Sequence, residues 1–506
     1  MRHAADAISL MCALFMLCVV PLLFHDAFFD INRVKVDAVV RIVPVLLLLH
    51  AFACMGAGQK RCALPGHVSG ILLLFLGFCA MSCLLNGLEP AMLTGSEGRY
   101  CGLYFMLSCG AAFLIIASGR CRLIRGAVVP AMVCASACAL LGVMNAMGVD
   151  PLGFYARIQK GQEKIFMSTI GHFDFFGTYL IMMFPLAAGQ FVFSRSGLMR
   201  LFGFLCAALM ALGAMASRTD SALAGLHLGC MMLLALSGGS YAVLSRAFLL
   251  WSFSFTALPL MFRLLQHSAF DLWFSGLSAL LYDLHAAEIL AVVFACAGVA
   301  CAALHRRGAA VPGKRRWMKG CFSGFGLLAI ILFASILYFS VFDTDAFLGK
   351  AASFLRFDDH WGSLRGFAWI RSIRAFADFP LMQKVFGAGM ELTLRVLTPY
   401  FDDPAMLAHG VFNDPHCQLL QMLLTCGLLG MILFAAFYIS VLAFLFRHAG
   451  EDPVCCGVLG AVWSYSIVLL INVTQPILIA TYFSLCALGV GSISPEYGQE
   501  GGRYES

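Results

Sequence analysis

Charge is scarce in this sequence. Only 12% of its 506 residues are Asp, Glu, Lys or Arg, whereas 61% are hydrophobic. A soluble domain carries about 25% charged residues to cover its water-facing surface, so the shortage excludes a soluble globular enzyme and a disordered chain. The formal charge of +6 is spread over many loops and forms no basic tract, which excludes a nucleic-acid-binding protein and any nucleic-acid partner. Among the 21 cysteines no Cys-x-x-Cys pair faces a second such pair or a histidine pair, so no zinc site is expected. Cys12, Cys134, Cys486 and most others lie inside apolar runs, as small polarizable packing residues do. Cys101 and Cys417 fall near outer loops, where a disulfide is an open alternative. No internal repeat is visible.

What the sequence has is long apolar runs, with 45 Phe and 25 Met and a mean hydropathy of +0.88. A bilayer core takes about 20 apolar residues per helix. Runs of that kind recur from Ala7–Phe24 to Ile477–Gly491, and the expected fold class is an all-α polytopic membrane protein with about 12–14 transmembrane helices. The first run is long, contains Pro21 and is followed by no small-x-small cleavage site, so it reads as a retained span. The ninth, Phe248 to Phe262, is short and contains Pro259, and is the weakest of the set. Four regions are expected: membrane helices over 1–342, an extracytoplasmic catalytic loop over 343–416, about three further spans over 417–491, and a cytoplasmic tail over 492–506. With the N-terminus inside, 17 Lys and Arg fall on cytoplasmic segments and nine on the short outer ones. That bias, counted without the long loop, puts both termini in the cytoplasm and the polar chemistry on the opposite face.

The sharpest element is His416-Cys417-x9-Gly427-Leu428-Leu429-Gly430, with Leu420 and Gln421 in the first turns of the span that follows. Upstream lie Arg365-Gly366-Phe367-Ala368-Trp369, Pro380 and Gly387-Ala388-Gly389. Ser217-Arg218 stands between two spans, and Gly98-Arg99-Tyr100-Cys101-Gly102 opens the fourth. Gly171-His172-Phe173, with Tyr179-Leu180 and Pro185, marks another loop-to-span junction. Together these resemble the O-antigen ligase and O-antigen polymerase superfamily over roughly residues 90 to 490. Cys417 departs from the family's polar residue, and Asp174 stands where Asn is common.

The resemblance implies a glycosyltransferase of the cytoplasmic (inner) membrane. It would move a glycan from a polyprenyl diphosphate donor to a glycan or lipid acceptor hydroxyl at the non-cytoplasmic face, needing only membrane lipids besides. Ligase and repeat-unit polymerase share this chemistry, and the histidine motif follows the ligase pattern. Arginine suits bidentate phosphate contact, so Arg218, Arg365 and Arg99 are the expected diphosphate ligands. For Arg218 the other reading is an interfacial side chain paired with Asp220. Arg365 and Trp369 share a face of a helix expected from Ser363 to Ala377, on which Arg374 and Asp378 have the spacing of an ion pair.

His416 is the expected general base, since a histidine ionises near neutral pH. Asp414 can orient its ring, Gln421 and Trp369 support the site, and His409 is the rival base. Asp358-Asp359 and Asp402-Asp403 are carboxylate pairs of the type Mg²⁺ takes, but adjacent loop aspartates are more often solvated turns. No metal or cofactor is therefore assigned. A lipid or sugar transporter is the rival class. It calls for repeat symmetry and mid-membrane ionisable groups, for which only His50, His227 and Glu288 offer themselves.

Overall fold

The computed structural model describes residues 2–25, 31–56, 65–272, 274, 276–311, 313–344, 346–401, 414–472 and 475–493. Among them, 11 helices are long and apolar enough to cross a membrane, and three shorter apolar helices accompany them. In chain order the set begins with α1 (His3–Leu22), α2 (Ile31–Met55), α3 (Gly66–Leu85), α4 (Leu103–Ala117) and α5 (Cys121–Ala146). Next come α6 (Phe173–Phe193), α7 (Gly197–Ala216), α8 (Asp220–Leu236), α9 (Tyr241–Leu265) and α10 (Ala286–Arg306). α11 (Lys314–Val341), α12 (Gln418–His448), α13 (Pro453–Ile471) and α14 (Pro476–Gly491) complete it. Each coincides with an expected apolar run, and the fold is the all-α polytopic one. The ninth run is longer than its sequence suggested: α9 continues through Pro259 for 25 residues. Neighbouring groups re-satisfy the backbone that a proline frees inside a membrane helix.

α6 lies at the centre, with 89% of its apolar window buried; none of the α11 window is. Close packing on α6 uses the Gly225/Gly229 pair of α8. A Cβ on Gly225 would stand 2.1 Å from Ile181, and one on Gly229 2.9 Å from Pro185. The similar Gly320/Gly324 spacing in α11, which also reads as a packing motif, meets nothing within 4 Å. Spacing marks a small-residue stripe, but a stripe packs only where a second helix arrives.

The described part of segment 343–416 contains the helices Ala352–Leu355, Trp361–Asp378, Leu381–Phe386 and Thr393–Leu397. The helix expected from Ser363 takes regular geometry only at Arg365, because Gly362, Ser363 and Leu364 form a left-handed turn (φ +56°, +60° and +70°). α12 is also interrupted, at Gly427 (φ +73°, ψ −176°). Such a break frees carbonyls that the bilayer cannot hydrate. They are met from segment 343–416: the Ala388 N–H donates to Leu424 O (2.9 Å) and the Gly389 N–H to Thr425 O (3.2 Å). Ser82 Oγ also donates to Thr425 O (2.6 Å), and Asn86 Nδ2 donates to Gly387 O (3.0 Å). The backbones touch. A Cβ on Gly387 would lie 2.3 Å from the Thr425 carbonyl, and one on Gly427 2.2 Å from Val385 O. The Gly-x-Gly and Gly-x-x-Gly motifs are therefore two halves of one joint.

Gly427→Ala and Gly387→Ala should each destabilise the protein by roughly 2 kcal/mol or more, from a positive-φ backbone that only glycine adopts readily plus overpacking. Gly77→Ala, in open space on α3, is the control. Thermal melting in detergent should show a clear drop for the first two and none for the third; equal melting of all three would refute the joint.

Candidate active site

Among the described residues nine besides glycine have positive φ, and three of them, Arg218 (+60°), Ser363 (+60°) and His416 (+49°), line one cavity of about 510 Å³. Such residues cost on the order of 1–3 kcal/mol each. The cavity is walled by Phe173 and Asp174 at the start of α6, Arg218 from the α7–α8 turn, Trp361 and Arg365 of the Trp361–Asp378 helix, and His416.

Arg218 cannot retreat to water, because its turn between α7 and α8 is two residues long beyond Ser217. Its Nη2 donates to Lys164 O (2.8 Å) and its guanidinium lies over Phe173, 5.3 Å from the ring centroid. Its buried Nε has no hydrogen-bond partner among the described residues. Burial pulls the Arg218 pKa down from its ordinary value, with Asp174 opposing. The proposed pairing with Asp220 does not occur. Asp220 instead caps the Gly276–Asp283 helix, accepting from the Leu277 and Ser278 N–H groups (3.0 and 2.9 Å) and from Ser278 Oγ (2.8 Å).

Arg365 is held by two carbonyls: Nε donates to Ile471 O (2.6 Å) and Nη1 to Gly362 O (2.5 Å). A guanidinium has five N–H donors, so this leaves capacity for an anion in the cavity. Arg371, on the other side of the same helix, pairs with Asp359 (2.5 Å) and lies over Phe367. The Arg374–Asp378 ion pair expected from spacing is absent among the described residues; Asp378 accepts from Tyr400 Oη (2.8 Å). Asp358 Oδ1 accepts the His360 N–H (2.8 Å), so both aspartates of that doublet serve local structure.

His416 precedes α12, and its ring sits 3.1 Å from Asp414 through Nδ1 and Oδ1. The same carboxyl oxygen accepts the His416 backbone N–H (2.6 Å). Asp414 is buried, and its other oxygen pairs with Arg99. Burial would push the Asp414 carboxyl up; Arg99 and His416 outweigh it and hold the group well below the usual carboxylate range. His172, which caps α6 by accepting the Asp174 N–H at Nδ1 (3.2 Å), is pushed below its ordinary value. Burial is the main cause; Asp174 opposes it, and His416 and Arg218 add to it.

The structure thus brings Arg218, Arg365 and His416 to one cavity and leaves Arg99 outside it. Arg99 instead lines a separate, much smaller space with Gln418, Gln421 and Glu391. Trp369 is also outside, with its ring 5.1 Å from Trp361. His409 and Asp402-Asp403 lie outside the described residues. Cys417 Sγ donates to Leu469 O (3.2 Å), and all described cysteines, Cys101 included, are free thiols. Sequence reasoning missed Trp361, Phe354 and the Ile471 carbonyl. Trp361 and Phe354 stand close upstream of Arg365 in the chain, which was a usable signal; a backbone carbonyl gives none.

Residues 272–435, about a third of the chain, match the family model described as O-antigen ligase. The match includes Arg365, Asp414, His416, Gly427 and Gly430, and leaves out Arg99 and Arg218. Among curated proteins none matches the chain.

Proposed function

From the O-antigen ligase region at 272–435 we propose that this chain is a membrane glycosyltransferase that passes a glycan from a polyprenyl diphosphate to an acceptor hydroxyl. Its site faces away from the cytoplasm in the inner membrane, with both termini inside. The observation that carries this reading is the convergence of two arginines and one histidine, from three separate parts of the chain, on one cavity.

Arg218 and Arg365 hold the diphosphate. Neither has a carboxylate salt-bridge partner among the described residues, so their charge is available to an anionic ligand in a site of low dielectric. Asp414 holds His416 through Nδ1, and Nε2 is the atom we assign to the acceptor. The acceptor hydroxyl gives its proton to Nε2 while its oxygen bonds to the anomeric carbon. The bond from that carbon to the diphosphate oxygen breaks, and the electron pair leaves on polyprenyl diphosphate, where the two guanidinium groups meet the growing charge. One displacement inverts the anomeric centre. The arginines supply the charge stabilisation that a divalent cation gives other transferases, so the reaction is metal-independent.

His416→Ala should purify folded and lose at least about 10²-fold in kcat in transfer from a purified lipid-linked glycan; wild-type turnover would sink the assignment. Arg218→Lys and Arg365→Lys keep charge but lose the fork, and should each lower kcat/KM for the donor by about 10- to 100-fold. Unchanged kcat/KM for both would remove them from the diphosphate site. Transfer should proceed at its full rate in EDTA, and a loss restored by added Mg²⁺ would overturn the metal-independent mechanism.

A further inference from the structure

The resemblance that suggests a donor-binding arginine at 99 is not matched by where that side chain lies. Arg99 is 4% exposed and does not reach the cavity of Arg218, Arg365 and His416. Its Nη1 meets Asp414 Oδ2, while Asp414 Oδ1 holds His416. The Arg99 and Asp414 side chains are buried, at 5% and 3% accessible, whereas His416 is 29% accessible, and of the three only the histidine lines the cavity.

We infer that Arg99 is a positioning residue that acts on His416 through Asp414. This rests on His416 being the base. A buried carboxylate facing an imidazole has two ways to fail: it takes up a proton itself because burial disfavours its charge, or it binds the imidazolium so well that the base stays protonated. A cation on its far side prevents both. It keeps Asp414 ionised and leaves the imidazolium less net negative charge to hold. Burial works against the Arg99 charge, but Asp414 and Glu391 beside it outweigh that and raise its pKa.

The local chain is built to hold Arg99 in place. Residues Gly95 to Gly102 close on themselves, with the Arg99 and Tyr100 N–H groups both donating to Ser96 O (3.1 and 2.9 Å). A Cβ on Gly102 would lie 2.3 Å from Gly95 N. Asn32 Nδ2 donates to Gly98 O (3.1 Å), and Ser96 Oγ donates to Glu391 (2.8 Å). A flexible phosphate clamp would need none of this.

Among the described residues, the other ionisable groups facing His416 are His172 just before α6 and Asp174 within it, Arg218 from the α7–α8 turn, Asp220 at the start of α8, and His360 and Arg365 at the start of the Trp361–Asp378 helix. None of them lies between Arg99 and Asp414. Removing Arg99 should therefore change the proton affinity of the His416–Asp414 pair as a unit. Whichever atom carries it, the pair gains its proton at higher pH when the cation is gone.

The test is kcat/KM against pH for transfer from a polyprenyl-diphosphate glycan, with full-length protein in nanodiscs. Arg99→Gln should move the acidic limb to higher pH by about one unit, and Asp414→Asn should move it lower. Donor KM should stay within about threefold in Arg99→Gln. Arg99→Lys, which preserves the cation and folds if Arg99→Gln does not, should keep the limb near its wild-type position at reduced kcat. A tenfold rise in donor KM with the limb unmoved, in either Arg99 variant, would overturn the inference and make Arg99 a phosphate ligand. An unmoved limb in both Arg99→Gln and Asp414→Asn would overturn it as well. Wild-type turnover by His416→Ala would instead remove the functional reading beneath it.

Discussion

A broken helix inside a bilayer is tolerable only if something answers its freed carbonyls. Here the break in α12 at Gly427 is answered by the backbone of Ala388 and Gly389, 35 or more residues upstream. This fixes the helices of segment 343–416 to the bundle by backbone contact, with glycine on both sides of the joint. His416 lies 11 residues before the break, and Arg365 22 before Gly387. At 1.5 Å per helical residue the first distance is roughly 16 Å, so the clamp and the cavity belong to one stiff unit. The fixed nine-residue interval in the histidine motif gains a physical meaning: it sets the height of the imidazole above the joint.

The site is electrostatically uneven in a way that follows from burial. Arg99 has Asp414 and Glu391 to balance it, Arg371 has Asp359, and Arg125 has Asp452 at 2.8 Å. Among the described residues, Arg218 and Arg365 are held by backbone carbonyls and an aromatic face. A carbonyl dipole satisfies N–H groups without cancelling charge, so these two side chains remain a positive field aimed at a cavity. Asp220, which lines the same cavity, is committed to three hydrogen bonds on another helix, and Asp174 is the acid that offsets part of the cost of burying the Arg218 charge. The positive-φ backbone at Arg218, Ser363 and His416 borders the same cavity, at a cost of order 1–3 kcal/mol per residue that the surrounding packing must offset.

The membrane helices were legible from hydropathy because crossing a bilayer is a local demand: about 20 successive residues must be apolar, whatever the rest of the chain does. Even so, Pro259 misled, since a membrane helix can carry a proline that would end a soluble one. That His416, Arg218 and Arg365 share a cavity was legible only as motif membership, since 25 arginines are spread along the chain and charge alone does not single these two out. Gly427 and Gly387 were visible as motif letters but not as partners.

What composition and order along the chain determined is the class of protein, the position of its spans and the short list of polar residues able to do chemistry. What only the tertiary structure decided is which polar atom meets which. Arg99 and Asp414 are 315 positions apart, and no local pattern distinguishes an arginine that faces a cavity from one that faces a buried acid. Arg374 and Asp378 had ideal spacing and did not pair; Gly320 and Gly324 had ideal spacing and met nothing. Periodicity fixes the face of a helix on which a side chain stands, but the neighbour on that face is supplied by helices folded from elsewhere in the chain.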